Sequence, residues 1–281
     1  MPGVHVVTDS ACDLTDELAR AAGITVVPLT IRFGDEELLD RRDLSPTEFW
    51  ARCKASPTLP ETAAPSPGAF QRAFEEAAAG GASGVLCLNL SSGVSATYQS
   101  ARAGAEAVGG DFAIEVVDTL SLTMGQGLMC LAAAEAAGRG AGLDELVTLV
   151  EGLIGRTHVY GVVDTLDHLQ RGGRIGGARA LLGSLLSIKP VVQVKDGVVE
   201  EESKQRTRTR SLEYLAGKIR GDAPLERLGV VNGAAEDIDD FVALLAGVET
   251  VHPLVLTELG PVVGTHTGPG TIGACYQVTA R

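Results

Sequence analysis

The stretch that most constrains this chain runs from Gly84 to Val108. Gly84-Val85-Leu86-Cys87-Leu88-Asn89 is a short, continuous apolar run and reads as a buried strand. Leu90-Ser91-Ser92-Gly93-Val94-Ser95-Ala96-Thr97-Tyr98 follows, and the small-residue segment from Gln99 to Val108 reads as a helix. A strand that ends in hydroxyls and glycine and then opens a helix aims free backbone N–H groups at one spot, and that spot can hold an anion. The same residues equally suit a serine that only caps its own helix.

Strand and helix patterns alternate along the rest of the chain. Val4 to Val7, Ile24 to Leu29, Ile31 to Phe33 and Ala113 to Val117 read as strands. Thr15, Ser45-Pro46-Thr47-Glu48 and Ser66-Pro67 open helices, the second as a capping box with proline at the first helical position. Helices over 125–138 and 143–154 follow. Beyond His158 the pattern predicts a strand to Val163, a short helix broken at Gly172-Gly173, a helix over 178–187, and a hairpin turning at Asp196-Gly197. A helix from Arg206 to Arg220, a strand over 228–231, a helix over 235–245 and a strand over 250–256 complete it. This alternation predicts an α/β fold of two domains, 1–156 with a mainly parallel sheet and 157–281 with a mixed sheet.

Several function classes are disfavoured. The net charge of -13 repels nucleic acid and anionic lipid. The five cysteines are scattered without a C-x-x-C, and the histidines lack ligand spacing, so neither a disulfide framework nor a metal site is expected. The start of the chain lacks a secretory signal pattern and no apolar run is long enough for a bilayer, so a cytoplasmic location is expected.

Polar clusters fall at four expected strand ends, Thr8-Asp9-Ser10, Ser91-Ser92-Gly93, Asp118-Thr119 and Asp164-Thr165. Ligands of open α/β sheets bind at such ends, although turns there are polar in any case. Thr62 lies in a stretch stiffened by Pro60, Pro65 and Pro67, read as an extended loop. His266, between hydroxyls and glycines, fits neither a helix face nor a core and is a functional candidate. Gly268 to Gly273 matches G-x-G-x-x-G, but the chain ends before the required helix and acid, so a dinucleotide is rejected. Ser92 with His266 invites a serine-hydrolase reading, yet no G-x-S-x-G elbow is present. Arg171, Arg174 and Arg179 flank the Gly-Gly turn, and Lys204, Arg206, Arg208 and Arg210 crowd an expected helix start, where cations oppose the helix dipole. Arg174 and Arg206 are therefore candidates for contact with an acidic or phosphate-bearing partner.

These motifs together carry a resemblance. Thr8-Asp9-Ser10, Thr62-Ala63-Ala64-Pro65-Ser66-Pro67-Gly68, Leu90 to Ala101, Val117-Asp118-Thr119 with Met124-Gly125, Asp164-Thr165-Leu166 with Gly172-Gly173-Arg174-Ile175, Lys189-Pro190, and His266 with Gly268-Pro269-Gly270 resemble, in order and spacing, the DegV family across essentially the whole chain. The resemblance implies two α/β domains enclosing a long-chain fatty acid, with no cofactor. It implies a non-enzymatic role as the binding subunit of a bacterial fatty-acid kinase. Such a subunit offers the carboxylate to a separate ATP-using kinase, which forms an acyl phosphate for phospholipid synthesis, and it leaves room for transient membrane contact. Carried over, the carboxylate-binding positions are Thr62, Ser92, the Gly93 N–H and His266. Ala63-Ala64, Ala96 and Thr123 depart from the family pattern. The alternative is an enzyme acting on a small carboxylated or phosphorylated metabolite in the same cleft; a pure interaction scaffold is the third reading.

Overall fold

The computed structural model describes residues 3–56, 58–181 and 188–280. Four parallel strands, β1 (Val4–Asp9), β2 (Ile24–Val27), β6 (Gly84–Asn89) and β7 (Ile114–Asp118), form a sheet in the order β2-β1-β6-β7. Every residue of β6 is buried, which is why its sequence is continuously apolar rather than alternating. Helices α3 (Pro67–Ala79) and α4 (Thr97–Val108) cover one face, where Val7, Val85 and Cys87 meet Phe70, Phe74 and Ala101. Helices α5 (Thr123–Gly138) and α6 (Leu143–Ile154) cover the other, where Val6, Leu86 and Leu88 meet Leu128, Leu146 and Val150. Helix α1 (Asp16–Ala21) leads into β2, its Thr15 cap accepting the Leu18 N–H.

The second large sheet has the order β10-β9-β8-β13-β11-β12. It contains β8 (Thr157–Val162), β9 (Lys189–Lys195), β10 (Val198–Gln205), β11 (Leu225–Gly233), β12 (Val255–Glu258) and β13 (Thr271–Val278). Only β11 and β12 run parallel; the other neighbours are antiparallel. Helices α8 (Arg208–Asp222) and α9 (Ile238–Leu244) pack on one face through Leu215, Ile219 and Phe241. The opposite face meets α5, which touches β1 and β6 on one side and β11 and β13 on the other. Small residues permit this: a Cβ on Gly125 of α5 would overlap Val159 Cγ2 of β8, and one on Gly229 of β11 would stand 3.1 Å from Met124 Cβ of α5. Strands β1 to β7 all lie before residue 119 and β8 to β13 all after residue 156.

Several elements differ from the sequence expectation. The segment read as a proline-stiffened loop contains β5 (Glu61–Ala63), whose Thr62 pairs with Ile31 of β3 (Thr30–Phe33). Prolines at 60 and 65 leave four residues between them, enough for a short edge strand. With β4 (Glu36–Leu39), returned by a two-residue turn at Gly34-Asp35, these make a third, antiparallel sheet against helix α2 (Pro46–Ala55). His266 lies on a helix after all, in the last turn of α10 (Pro261–Thr267), and Pro261 at its first turn was the available signal. The glycine-rich run beyond it turns directly into β13, a buried interior strand.

Lys204 lies in β10 and Arg206 beyond its end, so neither opens a helix; α8 starts at Arg208 behind the Thr207 cap. The strand expected over 250–256 begins only at Val255, with Thr250 forming a lone bridge to Leu225. Helix α7 (Asp167–Arg171) stops at Gly172 as read, and a 3-10 turn occupies Gly176–Leu181. The remainder of the helix expected over 178–187 lies outside the described residues. Among the described residues no helix is long and apolar enough to cross a membrane.

Candidate lipid-binding site

A predominantly apolar cavity lies where the three sheets and α10 converge. Leu29 and Leu90 line it from the first half of the chain, and Val159, Val192, Val231 and Val263 from the second. Among its polar side chains are Thr62 on β5, Ser95 before α4, Arg174 after the Gly-Gly turn, His266 on α10, Thr123 at the start of α5 and Gln193 on β9.

His266 and Thr62 are 204 positions apart in sequence, yet His266 Nε2 and Thr62 Oγ1 stand 2.9 Å apart. Three contacts fix the helix that carries His266. Trp50 Nε1 donates to the Leu259 carbonyl at 3.2 Å, and the Asp13 carboxylate accepts the Gly260 N–H at 3.0 Å. Gly264 lies flat against Trp50, where a Cβ would come within 2.8 Å of the indole. Gly172 packs on the imidazole so closely that a side chain there would overlap Nδ1. Burial first, then the Arg174 cation and the neighbouring His168, push the His266 pKa down to about 4, so the ring is neutral at pH 7. Its Nδ1 is buried without a hydrogen-bond partner among the described residues. An orphaned acceptor is less costly than an orphaned donor, which assigns the proton to Nε2. In that tautomer Nε2–H donates to Thr62, leaving the threonine O–H to donate into the cavity.

A depressed histidine pKa is a statement about stability. The unfolded chain takes up this proton near the usual 6.5 and the folded one only near 4, so the contribution is complete above 6.5 and lost as pH falls toward 4. Asp13 and Asp40, both raised to about 7 by burial, act oppositely, losing stability as pH rises through that range. The His266 contribution is therefore read as a difference. Between about pH 7 and about pH 4.5, lipid-free wild type is expected to lose about 2 kcal/mol more unfolding free energy than His266→Gln. Urea denaturation at the two pH values checks this; equal losses would mean that His266 titrates normally.

The structure does not bring Ser92 and Gly93 to the cavity wall with the other two candidates. Their backbone N–H groups are already engaged: Ser92 donates to the Asp118 carboxylate at 3.2 Å, and Gly93 to Ser91 Oγ at 3.1 Å. Ser91 in turn donates to the Gly197 carbonyl at 2.7 Å, tying this loop to the tip of the β9–β10 hairpin. Ser95 takes the cavity position instead. Its hydroxyl lies 2.9 Å from that of Thr97 and accepts the Thr97 N–H at 3.3 Å, at the start of α4. The spacing Ser95-x-Thr97 at a helix start was the signal that reading Ser92 at the strand end passed over.

Three strand-end acids serve the loops rather than the cavity. Asp9 accepts from Leu90 N–H, Ala11 N–H and Asn89. Asp118 holds Ser92 and Leu120. Asp164 pairs with Lys189 and Arg208, and Arg208 also holds Asp237 at 2.6 Å. Arg174, expected at a partner surface, is exposed but also lines the cavity, where it donates to the carbonyls of Gly172 at 2.7 Å and Val94 at 3.4 Å. Arg206 is exposed, stands off the cavity wall, and makes no ion pair among the described residues. Two hydroxyls, one of them oriented by the neutral imidazole, and one cation can satisfy a carboxylate, and the remaining wall offers an acyl chain an apolar surface.

Residues 3–279 match the family model described as "Uncharacterised protein, DegV family". A DegV domain-containing protein of Streptomyces coelicolor is 38% identical over 275 residues, covering 96% of each chain. A DegV family protein of Thermus thermophilus, whose structure is described as fatty acid binding, aligns with a TM-score of 0.89 at 34% identity, over 99% of this chain and 100% of that one. DegV of Bacillus subtilis, described as a fatty acid binding protein, aligns with a TM-score of 0.85 at 29% identity, over 99% and 100%. The chain belongs to the DegV family.

Proposed function

We propose that this protein binds a long-chain fatty acid in the cavity and presents its carboxylate to a separate ATP-dependent kinase. The carboxylate is held by Thr62, whose hydroxyl His266 orients, and by Ser95 and Arg174, with Ser95 taking the place of Ser92 and Gly93. The observation that carries the reading is a predominantly apolar cavity whose wall holds the His266–Thr62 pair together with Ser95 and Arg174. Fatty-acid binding by the Thermus and Bacillus relatives supports it. The boundary near 156/157 divides the strands of the two large sheets, and the ligand lies between the units so defined. His266 is paired with a hydroxyl, not with a carboxylate that would orient it as a base, which favours binding over hydrolysis.

Organic extraction of the purified protein followed by mass spectrometry tests this. A stoichiometric long-chain fatty acid is expected; a stoichiometric polar metabolite would favour an enzyme working in the same cleft. Arg206 is assigned to the kinase, because an exposed guanidinium with no ion pair among the described residues, on a protein of net charge -13, suits an acidic or phosphate-bearing surface. Arg206→Glu is expected to keep its lipid while acyl-phosphate formation with the kinase falls, more at low salt than at high. Unchanged turnover would make Arg206 an ordinary solvated charge.

A further inference from the structure

Asp13, whose bond to Gly260 helps fix the helix that carries His266, is a buried carboxylate with a second partner that the binding reading does not use. It follows the 3-10 turn Ser10–Cys12 with φ 52, a left-handed conformation that aims its side chain away from β1 and across to two helix starts. Its side chain is buried, and both oxygens are occupied. Oδ2 accepts from Thr123 Oγ1 at 2.5 Å, and Oδ1 accepts the Gly260 N–H at 3.0 Å.

Both donors lead to the cavity. Thr123 opens α5, itself left-handed at φ 50, and lines the cavity wall. Gly260 caps α10, and His266 follows six residues later, about 9 Å along the helix. Gly260 fits against Asp13 so tightly that a Cβ there would stand 2.5 Å from Oδ1. Its own φ of -72 would suit any residue, so the glycine answers to this contact and not to backbone strain. One carboxylate from the first half of the chain thus fixes the start of the helix that carries His266 and the start of the helix between the sheets.

We propose that Asp13 is a positioning residue for the head-group site: by clasping Thr123 and Gly260 it holds α10 where His266 meets Thr62, and so sets the preference for a carboxylate over an uncharged head group. This rests on the fatty-acid reading above. The apolar wall does not depend on the clasp, so tail affinity survives its loss.

The experiment compares a fatty acid with the fatty alcohol of equal length on delipidated wild type, Asp13→Ala, Asp13→Asn and Gly260→Ala. Loss of one well-placed bond to a charged group corresponds to roughly tenfold or more. Asp13→Ala is expected to lose the acid-over-alcohol ratio by that factor with alcohol affinity little changed. Asp13→Asn is expected to retain it, because the amide oxygen accepts from Gly260 and the amide nitrogen donates to Thr123 Oγ1. Gly260→Ala keeps every cavity side chain, displaces the clasp, and is expected to behave like Asp13→Ala; it decides the matter if Asp13→Ala does not fold. A wild-type ratio in the folded variants, or equal weakening of both ligands, overturns the proposal. A second readout needs no ligand. The His266 imidazole, followed by NMR, is expected to titrate higher in Asp13→Ala and Gly260→Ala, as water reaches the ring, and to stay low in Asp13→Asn. If wild type bound acid and alcohol alike, the fatty-acid reading would fail, and an unmoved His266 titration would separately sink the role of Asp13.

Discussion

Removing six methylenes from the acyl chain is expected to weaken binding by about 5 kcal/mol, between three and four orders of magnitude in Kd. The cavity dictates this. Its wall is built largely from Val, Leu and Ala side chains and strand backbone, with the His266–Thr62 pair on it. Each methylene that leaves water for such a wall contributes about 0.8 kcal/mol, so affinity should change about fourfold per carbon. The head-group interactions, by contrast, are exchanged against water, and each nets roughly 1.5–3 kcal/mol. The tail therefore dominates affinity while the carboxylate fixes register. A displacement series over saturated acids of decreasing length, at constant pH and below their micelle-forming concentrations, measures the slope. Affinity independent of length would place the chain outside the cavity and sink the assignment.

The fold and the site differed in how much of each the sequence disclosed. Local signals were read well. Ser66-Pro67 opens α3, which runs to Ala79 as expected, and the Asp196-Gly197 turn lies between β9 and β10. Such features are set by a few neighbouring residues, through caps and turn dihedrals. What escaped was fixed by distant pairing. Thr62 is a strand residue only because β3 offers an edge beside it, and its three-residue strand is too short to show a period. Strand β13 hid behind a glycine pattern that suggested another motif, although its interior place between β8 and β11 requires an apolar run.

The site was legible where chemistry was unusual and illegible where it was ordinary. A histidine among hydroxyls and glycines stood out, and it does meet Thr62. Three serines within five residues did not discriminate themselves. Which of Ser91, Ser92 and Ser95 faces the cavity depends on how the loop is anchored at Asp118 and Gly197, contacts 26 and 106 positions away. Asp13 was invisible for the same reason, since its partners lie 110 and 247 positions off.

Asp9→Ala is expected to cost about 3–5 kcal/mol of stability, a large share of the 5–15 kcal/mol by which an ordinary domain is stable. Asp9 is wholly buried at the end of β1, and burial raises its pKa against the opposing pull of its donors. Its carboxylate accepts the Leu90 N–H at 2.9 Å and the Asn89 amide and Ala11 N–H at 3.1 Å each. Truncation leaves these donors facing a small void in residues that are themselves buried. Each unsatisfied donor costs about 1–3 kcal/mol, and a water entering the void recovers only part of that. Asp9→Asn retains acceptor capacity on one oxygen but turns an amide toward a donor, so an intermediate loss is expected. The consequence reaches the site, because Leu90 starts the loop that delivers Ser95 to the cavity. Urea denaturation must be run on delipidated protein, since bound fatty acid would stabilise the folded state by mass action and mask the difference. A loss under about 1 kcal/mol for Asp9→Ala would show that the loop finds other acceptors and that Asp9 does not hold it.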